Sequence, residues 1–136
     1  MPITFSQFIL NIPAGMAFGT GSHETTRGCL LSMQYFKWFN VKRALDLGCG
    51  SGILALAAAR LWSCKVIAAD NDPVAIDVAE KNISQNDKLG LVRAVLSAGC
   101  QHAKIRDKRF DLVTANIFSG ELILMSGEIS RVVSPR

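Results

Sequence analysis

A short run of alternating glycines, with a carboxylate just ahead of it, holds the residues best suited to chemistry. Residues 48–52 read Gly-Cys-Gly-Ser-Gly, and Asp46 stands two positions before the run. A glycine turn between a strand and a helix gathers backbone N–H groups at a helix N-terminus, which suits a nucleotide or a nucleoside-like ligand. A plain tight turn is the alternative for the glycines, and capping of the loop amides without ligand contact is the alternative for Asp46.

The glycine spacing distinguishes two kinds of ligand. A dinucleotide fingerprint, G-x-G-x-x-G, would place its third glycine at position 53, which is Ile53. The third glycine is Gly52 instead, so the pattern is G-x-G-x-G. A ligand without a pyrophosphate needs fewer phosphate-facing amides, and a cationic amino-acid part can use the carboxylate of Asp46.

A second carboxylate, Asp70, follows 22 residues after Gly48, at the end of the next predicted strand. A carboxylate at that place accepts hydrogen bonds from two ribose hydroxyls, a feature shared with NAD sites. Helix capping is the alternative role for Asp70, but Asp72, directly before Pro73, is the better cap.

The elements that must position these residues alternate between strands and helices. Such alternation implies a parallel sheet with right-handed crossovers, in which ligands bind beyond the carboxyl ends of the strands. Gly48, Asp70 and Asn116 each follow a predicted strand. The predicted strands are 44–47, 65–69, 91–96 and 111–115.

Capping residues predict where the helices begin. Ser22, Asp72 and Ser119 can each accept a backbone hydrogen bond in the first turn of a helix. The first of these helices is predicted to run to about residue 39, and its Trp38 is predicted to pack in the core or at its rim.

Composition places the chain among small globular domains. Its 136 residues suffice for one domain, and 49% hydrophobic with 19% charged residues exclude a disordered chain. The first sixteen residues are apolar and irregular. No apolar run reaches the roughly 18 residues that a membrane span needs. A secretory signal opens with basic residues, whereas the first basic residue here is Arg27. Four cysteines without a C-x-x-C pair, and two histidines, predict neither a zinc site nor disulfides, and therefore a reduced, cytoplasmic protein.

The charge of the chain is mildly basic, with a formal net value of +4. That balance is not by itself a nucleic-acid signature. The basic run 104–109 is interrupted by Asp107, so a solvated loop is predicted there. No direct contact with nucleic acid is expected.

Four segments together resemble the ribosomal protein L11 methyltransferases, which use S-adenosylmethionine (AdoMet). The glycine motif is shared by AdoMet-dependent methyltransferases at large, whereas the first segment is much more specific to this family. The similarity runs from about Pro13 to Pro135. The segments are 17–26 (AFGTGSHETT), 46–55 (DLGCGSGILA), 70–75 (DNDPVA) and 115–117 (ANI), with Gly120 after the last.

The resemblance implies an α/β fold of the Rossmann-like, class I methyltransferase type. Parallel strands carry helices on both faces, and about four strands are expected in the order 3-2-1-4. Residues 1–136 would form a single AdoMet-binding domain, incomplete in that the family's N-terminal substrate domain and last strands are absent. The fourth strand, 111–115, would then be an open edge, through which self-association is expected.

Site residues follow from the family motifs. Thr26, Gly48, Asp70 and Asn116 match cofactor-binding positions, and the other predicted cofactor-binding residues belong to the glycine loop. Those are Asp46, Gly50 and Gly52. No metal is implied.

The implied reaction moves a methyl group from AdoMet to a neutral amine, on lysine side chains and the N-terminus of one large-subunit ribosomal protein. Asn116 is the candidate catalytic residue, because its amide oxygen can accept a hydrogen bond from the amine; ending a strand is its alternative role. His23 serves equally well as a proton acceptor or as a structural residue. Alternative functions are methylation of a small molecule or RNA, and a non-catalytic AdoMet-binding remnant.

Overall fold

The computed structural model of the chain describes residues 2–4, 9–13 and 23–135. Six strands and five helices lie in these ranges. In chain order they are β1 (Pro2–Thr4), β2 (Ile9–Asn11), α1 (His23–Tyr35), β3 (Arg43–Leu47), α2 (Ile53–Trp62), β4 (Lys65–Asp70), α3 (Pro73–Asn86), β5 (Val92–Leu96), α4 (Ala103–Arg106), β6 (Leu112–Ala115) and α5 (Ser119–Val132).

The main sheet has four parallel strands in the order β5-β4-β3-β6. This confirms the predicted parallel α/β sheet and its order 3-2-1-4. β6 pairs with β3 and lies at an edge of the sheet. Self-association through that edge stays a prediction, which sedimentation at several concentrations would test.

A second, antiparallel pair of strands was not predicted. β1 and β2 pair with Ile3 opposite Leu10. The expectation of an irregular start is therefore wrong for residues 2–4 and 9–11. Each strand has only three residues, too few to show an alternating pattern, so the pairing partner decides the structure.

Two apolar cores lie on the two faces of the sheet, because side chains alternate along each strand. Ala44 of β3 and Val66 of β4 pack on one face, with α1, α2 and α3. Leu45 and Leu47 pack on the other face, in a core that includes Val132 of α5. The alternation turns Asp46 to the α2 face.

Helix starts agree with the sequence at one cap and differ at another. The Asp72 Oδ1 accepts a hydrogen bond from the Val74 N–H at 2.9 Å and Pro73 opens α3, which confirms this cap. The Ser119 prediction is wrong: Phe118 holds the cap position without a side-chain bond, because Ser119 is already the first helical residue. Ser22 lies outside the described residues.

The C-terminal end of α1 also departs from prediction. The helix ends at Tyr35, and turns occupy residues 36–39. α1 buries Thr26, Leu30 and Met33, whose spacing places them on one face. Trp38 comes after the end of α1 and is 84% exposed, so it does not join the core.

The basic run 104–109 is solvated, as predicted, but its first part is helical. α4 covers Ala103–Arg106, and Ile105 is the one buried side chain in the run. None of the described helices is both long and apolar enough to cross a lipid bilayer.

Candidate functional site

A cavity of about 370 Å³ lies at the carboxyl ends of β3, β4 and β6. Six of the seven predicted site residues line it, and Gly52 does not. The six are Thr26, Asp46, Gly48, Gly50, Asp70 and Asn116. The fold therefore brings together residues that are up to 90 positions apart in the chain.

The glycine loop adopts left-handed backbone conformations. Gly48 has φ +65°, and a Cβ built there would lie 2.3 Å from the Cγ2 of Ile117. Gly52 has φ +83°, donates to the Cys49 carbonyl at 2.8 Å and accepts from the Leu56 N–H at 2.9 Å. Gly52 thus shapes the turn into α2, while Gly48 leaves room for a side chain that reaches over the loop from beyond β6.

Asp46 is a buried carboxylate with one unpaired oxygen. Its Oδ1 accepts a hydrogen bond from the Thr114 hydroxyl at 2.8 Å, whereas Oδ2 has no partner among the described residues. Burial raises the pKa of Asp46 to about 7, with a smaller contribution in the same direction from nearby Asp70 and opposing contributions from the Thr114 hydroxyl and the Ala55 N–H. An unpaired buried carboxylate oxygen on a cavity wall favours a cationic ligand group.

Ser51 is a second buried polar group on the wall, and it was not among the predicted site residues. Its hydroxyl has no partner among the described residues, and its carbonyl accepts from the Asn82 side chain at 2.8 Å. Its place between two loop glycines is a signal that could have identified it. Ser97 also lines the cavity and was also not predicted. It follows β5 directly, just as Asp70 ends β4 and Asn116 follows β6.

Asp70 connects the glycine loop to the start of α3. Its Oδ2 accepts from the Gly50 N–H and its Oδ1 from the Asp72 N–H, each at 3.0 Å. These bonds fix the carboxylate at the end of β4. Each oxygen carries a further lone pair, so the group retains capacity for two ligand hydroxyls.

Asn116 is oriented by Thr26. The Asn116 Nδ2 donates to the Thr26 hydroxyl oxygen at 2.9 Å, and Thr26 is buried in α1. Because the amide nitrogen is used, Oδ1 remains as the acceptor beside the cavity. Thr26 therefore holds the Asn116 amide in its orientation, a contact that its sequence motif did not reveal.

The charges around the cavity have one sign. Four carboxylates line it, and no described lining residue is a lysine, arginine or histidine. The four are Asp46, Asp70, Asp72 and Glu121. Such a wall attracts a cationic ligand and repels phosphate groups.

Comparison with known proteins agrees with this geometry. The model of one protein family, described as ribosomal protein L11 methyltransferase (PrmA), matches residues 2–136. Curated proteins of that description from Chelativorans sp. (strain BNC1) and Brucella suis are 41% and 39% identical over 128 residues, which are 93% of this chain. The match covers 44% and 45% of those proteins, so the chain spans less than half the length of these relatives.

Two solved structures of methyltransferases are similar to this chain. The crystal structure of a ribosomal protein L11 methylase from Lactobacillus delbrueckii subsp. bulgaricus superposes with a TM-score of 0.81 at 28% identity, over 98% of this chain and 66% of that one. A methyltransferase from Thiobacillus denitrificans in complex with S-adenosyl-L-homocysteine gives a TM-score of 0.66 at 16% identity, over 90% of this chain and 48% of that one, and shows the shared fold.

Proposed function

Because the chain belongs to the ribosomal protein L11 methyltransferase family, we propose that it binds AdoMet and methylates amines of ribosomal protein L11, lysine side chains among them, in the cytoplasm. The observation that carries the cofactor is the unpaired Asp46 Oδ2 in a cavity lined by carboxylates. AdoMet contains an ammonium and a sulfonium, so these groups match the sign of the wall.

Different residues of the cavity would bind different parts of the cofactor. Asp46 would bind the ammonium of the amino-acid part, and the Ser51 hydroxyl would donate to its carboxylate. Asp70 would accept from the two ribose hydroxyls. The left-handed turn at Gly48 lets Ile117 approach the backbone closely, so that Ile117 forms part of the cavity wall.

Asn116 would align the amine. Bound AdoMet supplies a methyl group on a positively charged sulfur, which is already reactive toward a neutral amine. The Asn116 Oδ1, held by the bond from Nδ2 to Thr26, would accept an N–H of that amine and aim its lone pair. Ile117, Leu124 and Met125 supply an apolar wall, and loss of water beside it favours the uncharged amine.

Calorimetry with AdoMet and with NAD tests the cofactor. We expect AdoMet, or its demethylated product, to bind more tightly than NAD, because NAD brings a pyrophosphate to a wall of carboxylates. Asp70→Ala should weaken AdoMet binding by about 1.5–3 kcal/mol, the range for hydrogen bonds to a charged group. Tighter binding of NAD would overturn the cofactor assignment.

The bond between Thr26 and Asn116 predicts a second result, best measured in a full-length relative with the same two residues. Asn116→Ala should lower the methyl-transfer rate about 10²-fold while changing AdoMet affinity less than fivefold. Thr26→Val, which keeps the shape but removes the hydroxyl, should lower the rate in the same direction, and Thr26→Ser should restore it. A loss of affinity with unchanged turnover would show that both residues only bind the cofactor.

A further inference from the structure

The end of the sheet opposite the cavity collects basic side chains from three separate segments. Arg43 and Lys65 begin β3 and β4 and are partners in the parallel register. Lys42 precedes Arg43, whose guanidinium Nη1 donates to the Arg109 carbonyl at 3.5 Å. All four basic residues, Lys42, Arg43, Lys65 and Arg109, are exposed; they are called the basic edge below.

The basic edge is not neutralised by neighbouring carboxylates. Across residues 2–4, 9–13 and 23–135 the one ion pair joins Arg106 to Asp107 at 3.5 Å, outside this group. Asp111 lies beside the edge, and its Oδ2 accepts from the backbone N–H groups of Lys42 and Arg43 at 2.9 and 3.1 Å. Its negative charge offsets one of the four cations, so the edge keeps a net positive charge.

An exposed aromatic cluster precedes this edge closely in the chain. Residues 35–39, here called the aromatic turn, read Tyr-Phe-Lys-Trp-Phe and stand three residues before Lys42. Tyr35 is 80% exposed and Trp38 is 84% exposed. Tyr35 meets Phe36 edge-on at 5.3 Å between ring centroids, and the Lys37 ammonium lies 4.8 Å from the Trp38 ring.

We infer that the aromatic turn and the basic edge form a binding surface for single-stranded nucleic acid. Exposed rings offer faces on which bases stack, and unpaired cations beside them follow the phosphates; this combination is that of a single-strand platform. An acidic peptide would use the cations but would leave the ring faces without a partner. The sequence led to the opposite expectation, that the protein makes no direct contact with nucleic acid. The order of charges along the chain does not show which basic residues the fold brings together.

Fluorescence anisotropy of a labelled twelve-nucleotide oligo(U) tests the surface. We expect saturable binding that weakens about 20- to 50-fold between roughly 50 and 200 mM salt, which corresponds to neutralising about three or four phosphates. Tyr35→Ala with Trp38→Ala should weaken binding at least about fivefold without changing the salt slope. Lys42→Ala with Arg43→Ala should reduce the slope by about 1.4.

Matched variants separate this surface from general charge or apolar effects. Lys81→Ala removes an exposed cation from α3, and Ile123→Ala removes an exposed apolar side chain from α5; both should bind oligo(U) as the parent does. All variants should keep the circular dichroism and AdoMet affinity of the parent.

Four results would overturn the inference. They are the absence of saturable binding at 50 mM salt, unchanged binding in both double variants, displacement of oligo(U) by polyglutamate at equal charge concentration, and a dimer in sedimentation that the double variant Tyr35→Ala with Trp38→Ala no longer forms.

Discussion

Replacing Asp46 by asparagine is expected to stabilise the cofactor-free protein while removing most of its AdoMet affinity. The folded protein raises the pKa of this carboxyl from 3.8 to about 7, so the fold prefers the protonated form. The free energy of unfolding then falls as pH rises from about 4 to about 7 and is level above 7. Asparagine stays neutral and still accepts from Thr114, so at pH 8 it should raise the unfolding free energy by about 2–4 kcal/mol.

The same carboxylate makes cofactor affinity depend on pH. A bound ammonium favours the ionised form, so AdoMet binding must release the proton that Asp46 carries below pH 7. Affinity should therefore fall about tenfold for each pH unit below roughly 7, and fall again above about pH 8, where the α-amino group of free AdoMet loses its proton. At pH 8 the Asp46→Asn variant should bind AdoMet about 10- to 150-fold more weakly, the loss of a hydrogen bond to a charged group, and its affinity should not follow this pH profile.

A second carboxylate on the cavity wall supplies the control. Asp72 is exposed and caps α3. Asp72→Asn removes a charge but keeps the cap, because asparagine caps as well as aspartate, so stability and the pH profile should change little. Denaturant unfolding at pH 5 and pH 8 and calorimetry across this range measure both effects. Equal stability of parent and Asp46→Asn at pH 8 would contradict the burial argument.

Gly48→Ala is expected to destabilise the protein and to reduce AdoMet affinity more than tenfold. Two costs act together: the left-handed conformation, at φ +65°, costs an L-residue roughly 1–2 kcal/mol, and the new Cβ would lie 2.3 Å from the Ile117 Cγ2. The loop or Ile117 must therefore move, and both line the cavity. Unfolding free energy should fall by about 2–4 kcal/mol in denaturant titrations.

Two other glycines separate these costs. Gly90 has φ +67° with no atom within 4 Å of a built Cβ, so Gly90→Ala measures the backbone strain alone. Gly28 lies in α1 with open space around it, so Gly28→Ala should stabilise the protein by up to about 1 kcal/mol. Adding Ile117→Ala to Gly48→Ala should relieve the contact and leave the strain. If Gly48→Ala costs no more than Gly90→Ala, the close approach of Ile117 is not a constraint.

Local pattern was enough to predict the parallel sheet, the cap at Asp72 and the loop at residues 48–52. These features depend on neighbours in the chain: apolar runs form buried strands, a carboxylate before a proline starts a helix, and alternating glycines permit a left-handed turn. The order 3-2-1-4 came from the family resemblance, and the observed order β5-β4-β3-β6 confirms it. The β1–β2 pair was missed because its partners, not its own short sequence, specify it.

Only the tertiary structure decided how the site residues act on one another. Burial of Asp46 between β3 and α2 leaves Oδ2 unpaired and raises the pKa of the Asp46 carboxyl. The residues near Asp46 in the sequence do not predict that environment. The bond from Asn116 to Thr26 joins residues 90 positions apart. Trp38 was predicted to lie in the core or at its rim, but it lies in solvent because α1 ends at Tyr35. Burial, unpaired atoms and collected charge are properties of surfaces made by several segments, so they exist only once the chain has folded.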